Sequence, residues 1–450
     1  MSRPFLRSLR IPAFFAAICL LLSAAASAQN SPGPQPMPAQ PPIATPADIP
    51  YPGTISLMVD MTNVNDRIFD VRETIPVLGN KITLLYPQWL PGTHSDSNPI
   101  ADMAGLVVTA KGERIAWKRD PVNMYAFHID VPQGANALDV NFQYLAPVDP
   151  KRGRISEKFA DLTWNSVVVY PVGYFARDIK FEPTLRIPQG WKYATPLDTA
   201  SEEGNLIRFK ATMLNTLIDS PLYAGENFKR VDLSTGPDNK VYLDVFADRP
   251  SDMEIAPDQL QYHKSLIIQA QKLFNSHHYD HYDFLFSLSD IVSGKGLEHH
   301  QCSEDGSRAN YFTDWASNVG SRGLLPHEYV HSWNGKFRRP ADLWTTNFNV
   351  PMRNSLLWVY EGLTDYYGNV LSARSGLRTP EQARDVWAGF AASFERDPGR
   401  TWRSLEDTTN GPIIASHGNR PQNWPSWQRS YDYYPESDLI WLDGTPRSAK

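Results

Sequence analysis

The hydrophobic pattern of this 450-residue chain changes its period near residue 245. From about residue 51 to residue 244, short runs of β-branched and aromatic residues are separated by Pro, Gly, Asn and Asp, which is typical of β-strands. Examples are "TISLMVDM", "KITLLYP", "ALDVNFQYL" and "LTWNSVVVYPVG". Residues 257–274, "PDQLQYHKSLIIQAQKLF", instead carry apolar residues at helical spacing, and "YDFLFSLSDIV" then returns to a strand pattern. The sequence therefore predicts an α+β chain, with an antiparallel β-sandwich-like domain over residues 51–244 and a second, α+β domain over residues 245–450.

The first 50 residues have a composition that does not favour a folded core. Three arginines precede the apolar run "IPAFFAAICLLLSAAA", and Ala26-Ser27-Ala28 forms a small-residue cleavage site. The run is shorter than the roughly 20 residues that a membrane-spanning helix needs. Residues 1–28 are therefore predicted to be a cleaved signal peptide, with a periplasmic or secreted destination and no stable membrane insertion. Residues 29–50, rich in Pro and Ala, predict an extended linker.

The charge of the chain argues against a nucleic-acid-binding protein, and its cysteine content argues against a protein stabilised by internal disulfides. The chain has 43 basic and 49 acidic residues, a net charge of -6 and no long basic run, so nucleic acid is not an expected partner. Removal of the signal peptide would leave Cys302 as the only cysteine, and the mature chain could then form no internal disulfide. Stability must therefore come from the core or from a bound ion.

The stretch "GLLPHEYVHSWNGKFRRP", residues 323–340, holds His327 and His331 four positions apart. On a helix these side chains share one face, about 5–6 Å apart, which suits two imidazoles on one tetrahedral Zn²⁺. Glu328 lies between them and points towards a metal-bound water rather than the metal. Pro326 directly precedes the pair, so the helix either begins near Leu324 or is kinked there, because proline is tolerated only in the first turn.

A third ligand is expected in "SLLWVYEGLTDYYGNVL", residues 355–371, which has the composition of a buried helix. Glu361 lies among apolar residues there and needs a charged partner, since an unpaired buried carboxylate is very costly. Zinc would be such a partner, and an arginine is the alternative. Asp365, one turn later, would then accept the outer N–H of a ligand histidine.

These motifs resemble the glycyl aminopeptidase family, secreted gluzincin metallopeptidases that often carry a PDZ domain. The similar segments are "HEYVHSWNGKFRRP", "WVYEGLTDYY", "GKGLEHHQCS", "YPQWLPGTHS" and "LIDSPLYAGE". The resemblance implies that residues 245–450 form a thermolysin-like, mainly helical zinc-peptidase domain. It also implies one Zn²⁺ per chain, held by His327, His331 and Glu361, with Glu328 as the general base.

The resemblance further implies how a peptide substrate is held. Glu298 would pair with the free α-ammonium of a peptide, which would make the chain an aminopeptidase. The resemblance separately implies a preference for amino-terminal glycine or alanine. Gly294 and Gly296 would let the substrate backbone come close, and His299 would line the cleft. On the residues alone, a glutamate in a surface loop is the alternative for Glu298.

The C-terminal segment "YDYYPESDLIW" corresponds to the family's oxyanion-binding tyrosine motif but lacks its Lys-Gly. Tyr434 is the predicted oxyanion donor, Tyr433 is the alternative, and an ordinary packed tyrosine is the other interpretation. The family continues into a long helix and a PDZ domain, so we expect this chain to be shortened at its C-terminus and to lack that domain. Two competing hypotheses therefore stand: a zinc-containing periplasmic peptide-binding protein without activity, and a thermolysin-like endopeptidase.

Overall fold

A computed structural model describes residues 36–37, 42–148, 154–416, 424–429 and 431–444. The predicted signal peptide, residues 1–28, and half of the predicted linker, residues 29–35 and 38–41, lie outside these described residues. From Ile43 onward the described residues belong to one compact unit. Among them, no helix combines the length and the hydropathy that crossing a bilayer requires.

The N-terminal half is built mainly of short strands that alternate buried and exposed side chains. They are β1 Thr54–Asp60, β2 Ile68–Pro76, β3 Lys81–Leu85, β4 Met103–Ala110, β5 Glu113–Ile115, β6 Trp117–Arg119, β7 Ala126–Asp130, β8 Ala137–Leu145, β9 Phe159–Leu162, β10 Tyr170–Pro171, β11 Lys180–Arg186, β12 Lys192–Ala194, β13 Thr199–Glu203, β14 Leu206–Phe209, β15 Thr212–Met213 and β16 Leu222–Gly225. A short helix, α1 Leu214–Ile218, precedes the last of them. Three-residue 3₁₀ turns lie at Ile100–Asp102, Trp164–Ser166 and Ala176–Asp178.

The largest sheet has the strand order β13-β14-β11-β1-β2-β8-β4-β5, with β15 also on β11. Two smaller sheets have the orders β10-β3-β7-β6 and β12-β16-β9. Neighbouring strands of the large sheet are antiparallel, as predicted, except that β1 and β11 are parallel, from Thr54 opposite Lys180 to Asp60 opposite Arg186. The antiparallel prediction is wrong for that pair. The long connection between the two strands leaves room for a crossover, which a parallel pair requires.

Most inward side chains of these sheets form one hydrophobic core, whereas Phe159, Ala194 and Tyr223 of the three-stranded sheet pack against residues of the C-terminal half. Along β8, Leu138, Val140 and Phe142 are buried while their neighbours are more exposed. The run 162–173, predicted as one strand, is instead a strand end, a 3₁₀ turn and the two-residue strand β10. Side-chain hydrogen bonds to this turn compete with strand pairing: Trp164 Nε1 donates to the Ser220 carbonyl and Tyr86 Oη donates to the Ser166 carbonyl.

The C-terminal half combines one mixed sheet with helices. Its strands are β17 Phe228–Asp232, β18 Lys240–Ala247, β19 His281–Leu288, β20 Gly296–Glu298 and β21 Cys302–Ser307, in the order β17-β18-β19-β21-β20. Its helices are α2 Pro257–Phe274, α3 Leu324–His331, α4 Leu357–Tyr360, α5 Gly362–Ser375, α6 Pro380–Glu395, α7 Leu405–Thr408, α8 Gly411–Ser416, α9 Pro425–Gln428 and α10 Pro435–Gly444. Further 3₁₀ turns are Pro250–Met253, Trp315–Asn318, Gly320–Gly323 and Pro398–Thr401.

The α+β fold class is confirmed, with a mostly β half followed by a helical half. Helix α2 has the predicted bounds and connects the parallel strands β18 and β19. The predicted domain boundary at residue 244 falls inside β18, and the domain limits stay a prediction. A second core joins the sheet to the helices through residues such as Leu266 of α2, Phe284 of β19 and Leu371 of α5.

Helix α3 begins at Leu324, so Pro326 is its third residue and lies in the first turn. This is the first of the two arrangements that the sequence left open, and it costs no interior hydrogen bond. Helices α4 and α5 are almost continuous, joined by Glu361 in a right-handed helical conformation. The two histidines therefore project from α3 and the glutamate from the junction of α4 and α5, and α3 contacts both α5 and the strands β20 and β21 of the mixed sheet.

Candidate metal centre

Helix α3 and the junction of α4 and α5 bring three predicted ligands together. His327 Nε2 lies 3.2 Å from His331 Nε2, and Glu361 Oε2 lies 3.3 Å and 3.2 Å from these two nitrogens. Ligand atoms around a tetrahedral zinc at about 2.0–2.1 Å are separated by about 3.3 Å. The three side chains therefore fit one tetrahedral ion, with a fourth direction left open.

The outer nitrogens of both histidines have partners that orient the rings. The Nδ1 of His331 lies 3.0 Å from the Asn334 carbonyl oxygen, to which it donates. The Nδ1 of His327 lies 3.4 Å from Asp365 Oδ1, the placement that the sequence predicts for Asp365. Hydrogen bonds at Nδ1 leave each Nε2 free as a ligand atom. Asn334 is held in turn, because its amide donates to the carbonyls of Val359 and Tyr360.

The pKa of the Glu361 carboxyl lies well below its usual range. Burial raises this pKa, but His331 and hydrogen bonds from His327 and His331 lower it by more. Glu361 is only 2% exposed, and it pairs with histidines rather than with the arginine that the alternative interpretation required. The residue is therefore an ionised carboxylate inside the protein, which is what a divalent cation needs.

Glu328 lies beside these ligands on a cleft of about 540 Å³ that Gly294, Gly296, Leu324 and His327 also line. The pKa of Glu328 is raised well above its usual range by burial, with a further increase from Glu298, Asp305 and Glu361 and an opposing effect of His327. Gly296 contacts this side chain so closely that a β-carbon there would collide with Glu328 Oε1. A carboxyl in such a place can hold and release a proton near the metal position.

Glu298 lies on strand β20, on the same face as Gly296, because alternate residues of a strand share a face. This face is directed towards Glu328 and His331. It is 3% exposed, so the alternative of a surface loop is wrong. Its Oε1 accepts a 2.5 Å hydrogen bond from Tyr360 Oη. Burial raises the pKa of Glu298, but His331, Lys336 and His94 lower it by more, and the net pKa is below the usual value.

His299 faces the opposite side of β20, where it lines a separate cavity of about 160 Å³. Both ring nitrogens contact carboxylates at 3.0 Å, Nδ1 with Asp219 and Nε2 with Glu304. These carboxylates raise the pKa of His299 although burial lowers it. A substrate contact for His299 stays a prediction, and its ring is already engaged.

A buried ion-pair network extends from His299 into the N-terminal half. The Nζ of Lys336 lies 2.9 Å from Asp219 Oδ1, and the Nζ of Lys295 lies 2.7 Å from Asp161 Oδ2 and also contacts Glu304. The two halves of the chain are therefore joined directly behind β20.

Tyr434 is the nearer of the two candidate tyrosines. Its ring centroid lies 6.1 Å from that of His327, and burial together with the Glu361 carboxylate raises its pKa well above the usual value. Tyr433 is fully buried and packs at 4.7 Å against Tyr434. Gly362 contacts the segment as well, since a β-carbon there would collide with Ser437. The oxyanion role of Tyr434 stays a prediction.

One residue of the cluster was not predicted from the sequence. His94 belongs to the loop after β3 in the N-terminal half, is 4% exposed, and places Nε2 2.5 Å from Glu361 Oε1. His94, Glu298 and Glu361 form a second group with metal-binding geometry that shares Glu361 with the first, and Glu298, Glu328 and His331 form a third. The sequence offered one indication of His94, its place in the segment "YPQWLPGTHS". The distance along the chain from this histidine to His327 and His331 does not indicate that they meet.

Two family models match the chain. The Peptidase M61 N-terminal domain matches residues 56–226, and the M61 glycyl aminopeptidase model matches residues 320–440. No curated protein matches the chain significantly.

Two solved structures are similar in fold. An aminopeptidase N family protein from Idiomarina loihiensis has a TM-score of 0.70 and 20% identity over 86% of this chain and 66% of its own. Yeast LTA4 hydrolase in complex with bestatin has a TM-score of 0.48 and 13% identity over 88% of this chain and 58% of its own. The chain thus spans just under two thirds of the length of the Idiomarina protein, and the likeness concerns the fold alone.

The two family models cover different halves of the chain. Of the residues that converge at the metal centre, His94 lies in the N-terminal match, the helical ligands lie in the C-terminal match, and Glu298 lies between the two matched ranges. The chain belongs to the M61 glycyl aminopeptidase family of metallopeptidases.

Proposed function

We propose that this protein is a zinc-dependent aminopeptidase that removes amino-terminal glycine or alanine from peptides. The observation that carries the proposal is the convergence of His327, His331 and Glu361 at separations of 3.2–3.3 Å. The description of the family supports glycine, and alanine is supported only by the resemblance of the sequence motifs.

His327, His331 and Glu361 would hold the zinc ion, which would supply Lewis-acid chemistry for the scissile carbonyl and for the attacking water. Glu328 accepts the proton of the attacking water and later donates it to the leaving amine. Burial raises the pKa of Glu328 above its usual range, which makes its carboxylate a stronger base than an exposed glutamate. Tyr434 Oη donates a hydrogen bond to the carbonyl oxygen as negative charge develops there.

Glu298 supplies selectivity for a free amino terminus. Its carboxylate is buried and its pKa is lowered, so it carries a negative charge that a substrate ammonium would neutralise. An amino-terminally blocked peptide, or an internal peptide bond, would leave this charge unpaired in a buried place, which is costly. The same charge distinguishes an aminopeptidase from the endopeptidase alternative.

We also propose that the protein works in the periplasm or outside the cell. The support is the sequence pattern of residues 1–28.

The test compares glycyl and alanyl anilides with their N-acetylated analogues, using purified protein of measured zinc content. We expect turnover of the free anilides only, and loss of that turnover with a chelator followed by recovery with Zn²⁺. Equal cleavage of the acetylated substrates would favour the endopeptidase. Stoichiometric zinc and peptide binding without turnover would favour the inactive binding protein.

A further inference from the structure

The loop after β3 carries a histidine into the metal centre from the other half of the chain. The Nε2 of His94 lies 2.5 Å from Glu361 Oε1, although the two residues are 267 positions apart. His94 also packs edge-on against Tyr360, with ring centroids 5.4 Å apart. This is a side-chain contact between the β-rich half and the residue that the proposed function needs as a ligand.

The loop is built to hold this side chain in place. His94 has a φ of 55°, a conformation that a residue with a side chain adopts at a cost in energy. Leu90 and Ser95 form a bridge that closes the loop, and the Thr93 hydroxyl donates to the Leu90 carbonyl. The His94 carbonyl accepts a 2.8 Å hydrogen bond from the buried amide of Asn354. The strained conformation is therefore stabilised from both halves of the chain.

The two oxygens of Glu361 have different partners. Oε1 contacts His94, while Oε2 lies 3.2–3.3 Å from the Nε2 atoms of His331 and His327. A carboxylate whose second oxygen accepts a strong hydrogen bond is restrained in rotation and presents a single oxygen to a metal.

We propose that His94 is a positioning residue of the metal centre: by donating from Nε2 to Glu361 Oε1, it reserves Oε2 for the zinc ion. This inference rests on the proposed function, because it needs an ion held by Glu361. It makes metal affinity depend on the docking of the N-terminal β-rich half. A chain in which that half is displaced would keep all three ligands and still bind zinc more weakly.

The experiment measures the zinc affinity of apo-protein by competition with a chromogenic chelator. His94→Asn is the main variant: asparagine tolerates a positive φ, but its amide is too short to reach Glu361. We expect zinc to bind about 10–100-fold more weakly. His94→Gln places an amide N–H near the position of the imidazole Nε2 and should restore most of the affinity, which a merely structural loss would not.

A matched control removes another histidine of the same half. His128 lies 2.9 Å from Asp120 through Nε2, on the strand β7. His128→Asn should leave zinc affinity unchanged. The visible spectrum of the Co²⁺-substituted protein adds a readout of coordination, which we expect to change in His94→Asn and not in His128→Asn.

Wild-type zinc affinity together with a wild-type Co²⁺ spectrum in His94→Asn would overturn the role of His94 and leave the proposed function intact. Wild-type protein that takes up no zinc would overturn the metal centre itself, and the role of His94 with it. The two failures are distinguishable because only the second changes the wild-type result.

Discussion

A β-carbon at Gly368 of α5 would lie 3.0 Å from the α-carbon of His327. The absence of a side chain therefore allows α5 to contact the backbone of the helix that carries both histidines. Gly368→Ala should force the helices apart and weaken zinc binding. We expect the free energy of unfolding to fall by about 1–3 kcal/mol, as for other overpacked sites, measured by urea denaturation of the apo-protein.

Gly389 on the neighbouring helix α6 is the matched control, since nothing lies within 4 Å of a β-carbon placed there. In an open helical position alanine is favoured over glycine, so Gly389→Ala should stabilise by about 0.5–1 kcal/mol. If Gly368→Ala stabilised the protein by the same amount, the close approach of the two helices would be contradicted.

Glu298→Gln removes the charge that we assign to the substrate ammonium while keeping the shape of the side chain. Loss of one partner of a buried charge pair typically costs 2–5 kcal/mol, so kcat/KM for a glycyl anilide should fall by about 30-fold or more. Zinc content should not change, because the three proposed ligands remain. Steady-state kinetics beside metal analysis checks both statements, and Glu113→Gln on the exposed part of β5 is the control. An unchanged kcat/KM would remove Glu298 from substrate binding.

Lys295 links carboxylates from both halves of the chain, Asp161 and Glu304, whose side chains are fully buried. Lys295→Met leaves these charges without their shared cation. We expect a loss of about 3–5 kcal/mol in the free energy of unfolding, measured by urea denaturation at neutral pH.

The control for Lys295 is an exposed ion pair. Lys210 lies 3.2 Å from Asp198 and both side chains are about two-thirds exposed. Such pairs contribute about 0–1 kcal/mol, so Lys210→Met should have little effect. Similar losses in the two variants would mean that the network behind β20 is not a buried one.

Stability below neutral pH should depend on His263 of α2. Burial lowers the pKa of its imidazole to about 4. At pH 7 the ring is neutral in the folded state and mostly neutral in the unfolded state, so its contribution to the pH dependence is small. Below the unfolded pKa of about 6.5 only the unfolded state takes up the proton, so stability falls as the pH drops towards 4. The free energy of unfolding of His263→Gln, relative to that of wild type, should therefore be about 2 kcal/mol higher at pH 5 than at pH 7. Urea denaturation at both pH values measures this difference.

His281 is the control of opposite sign for this pH prediction. A hydrogen bond with Asp283 raises the pKa of His281, so its contribution is present below the unfolded pKa and is lost as the pH rises. The free energy of unfolding of His281→Gln, relative to that of wild type, should therefore be lower at pH 5 than at pH 7. The same direction of change in both variants would contradict the assignment of these two histidines.

The sequence alone was sufficient to predict parts of the fold and of the candidate site where the interacting residues lie close together in the chain. The spacing of His327 and His331 predicted their shared face, and the apolar surroundings of Glu361 predicted a buried carboxylate that needs a cation. The periodicity of residues 257–274 predicted α2 to the residue. In each case a helical repeat or a burial cost over a few residues carries the information.

Features that depend on distant partners were not predictable in this way. His94 reaches Glu361 across 267 positions, and a single histidine in a loop shows no period that would indicate its partner. The engagement of His299 with Asp219 and Glu304 is hidden for the same reason. The run 162–173 has the composition of a strand, but hydrogen bonds from Trp164 and Tyr86 stabilise a turn instead.

The parallel pairing of β1 with β11 has a consequence for synthesis. Thr54 pairs with Lys180, so one edge of β1 stays open until more than a hundred further residues have been added. At about 5–20 residues per second this delay lasts about 6–25 s. During that interval the nascent chain exposes an unpaired strand edge, which is a template for aggregation. Production of this protein should therefore respond to chaperones that cover emerging chains, independently of whether metal is supplied.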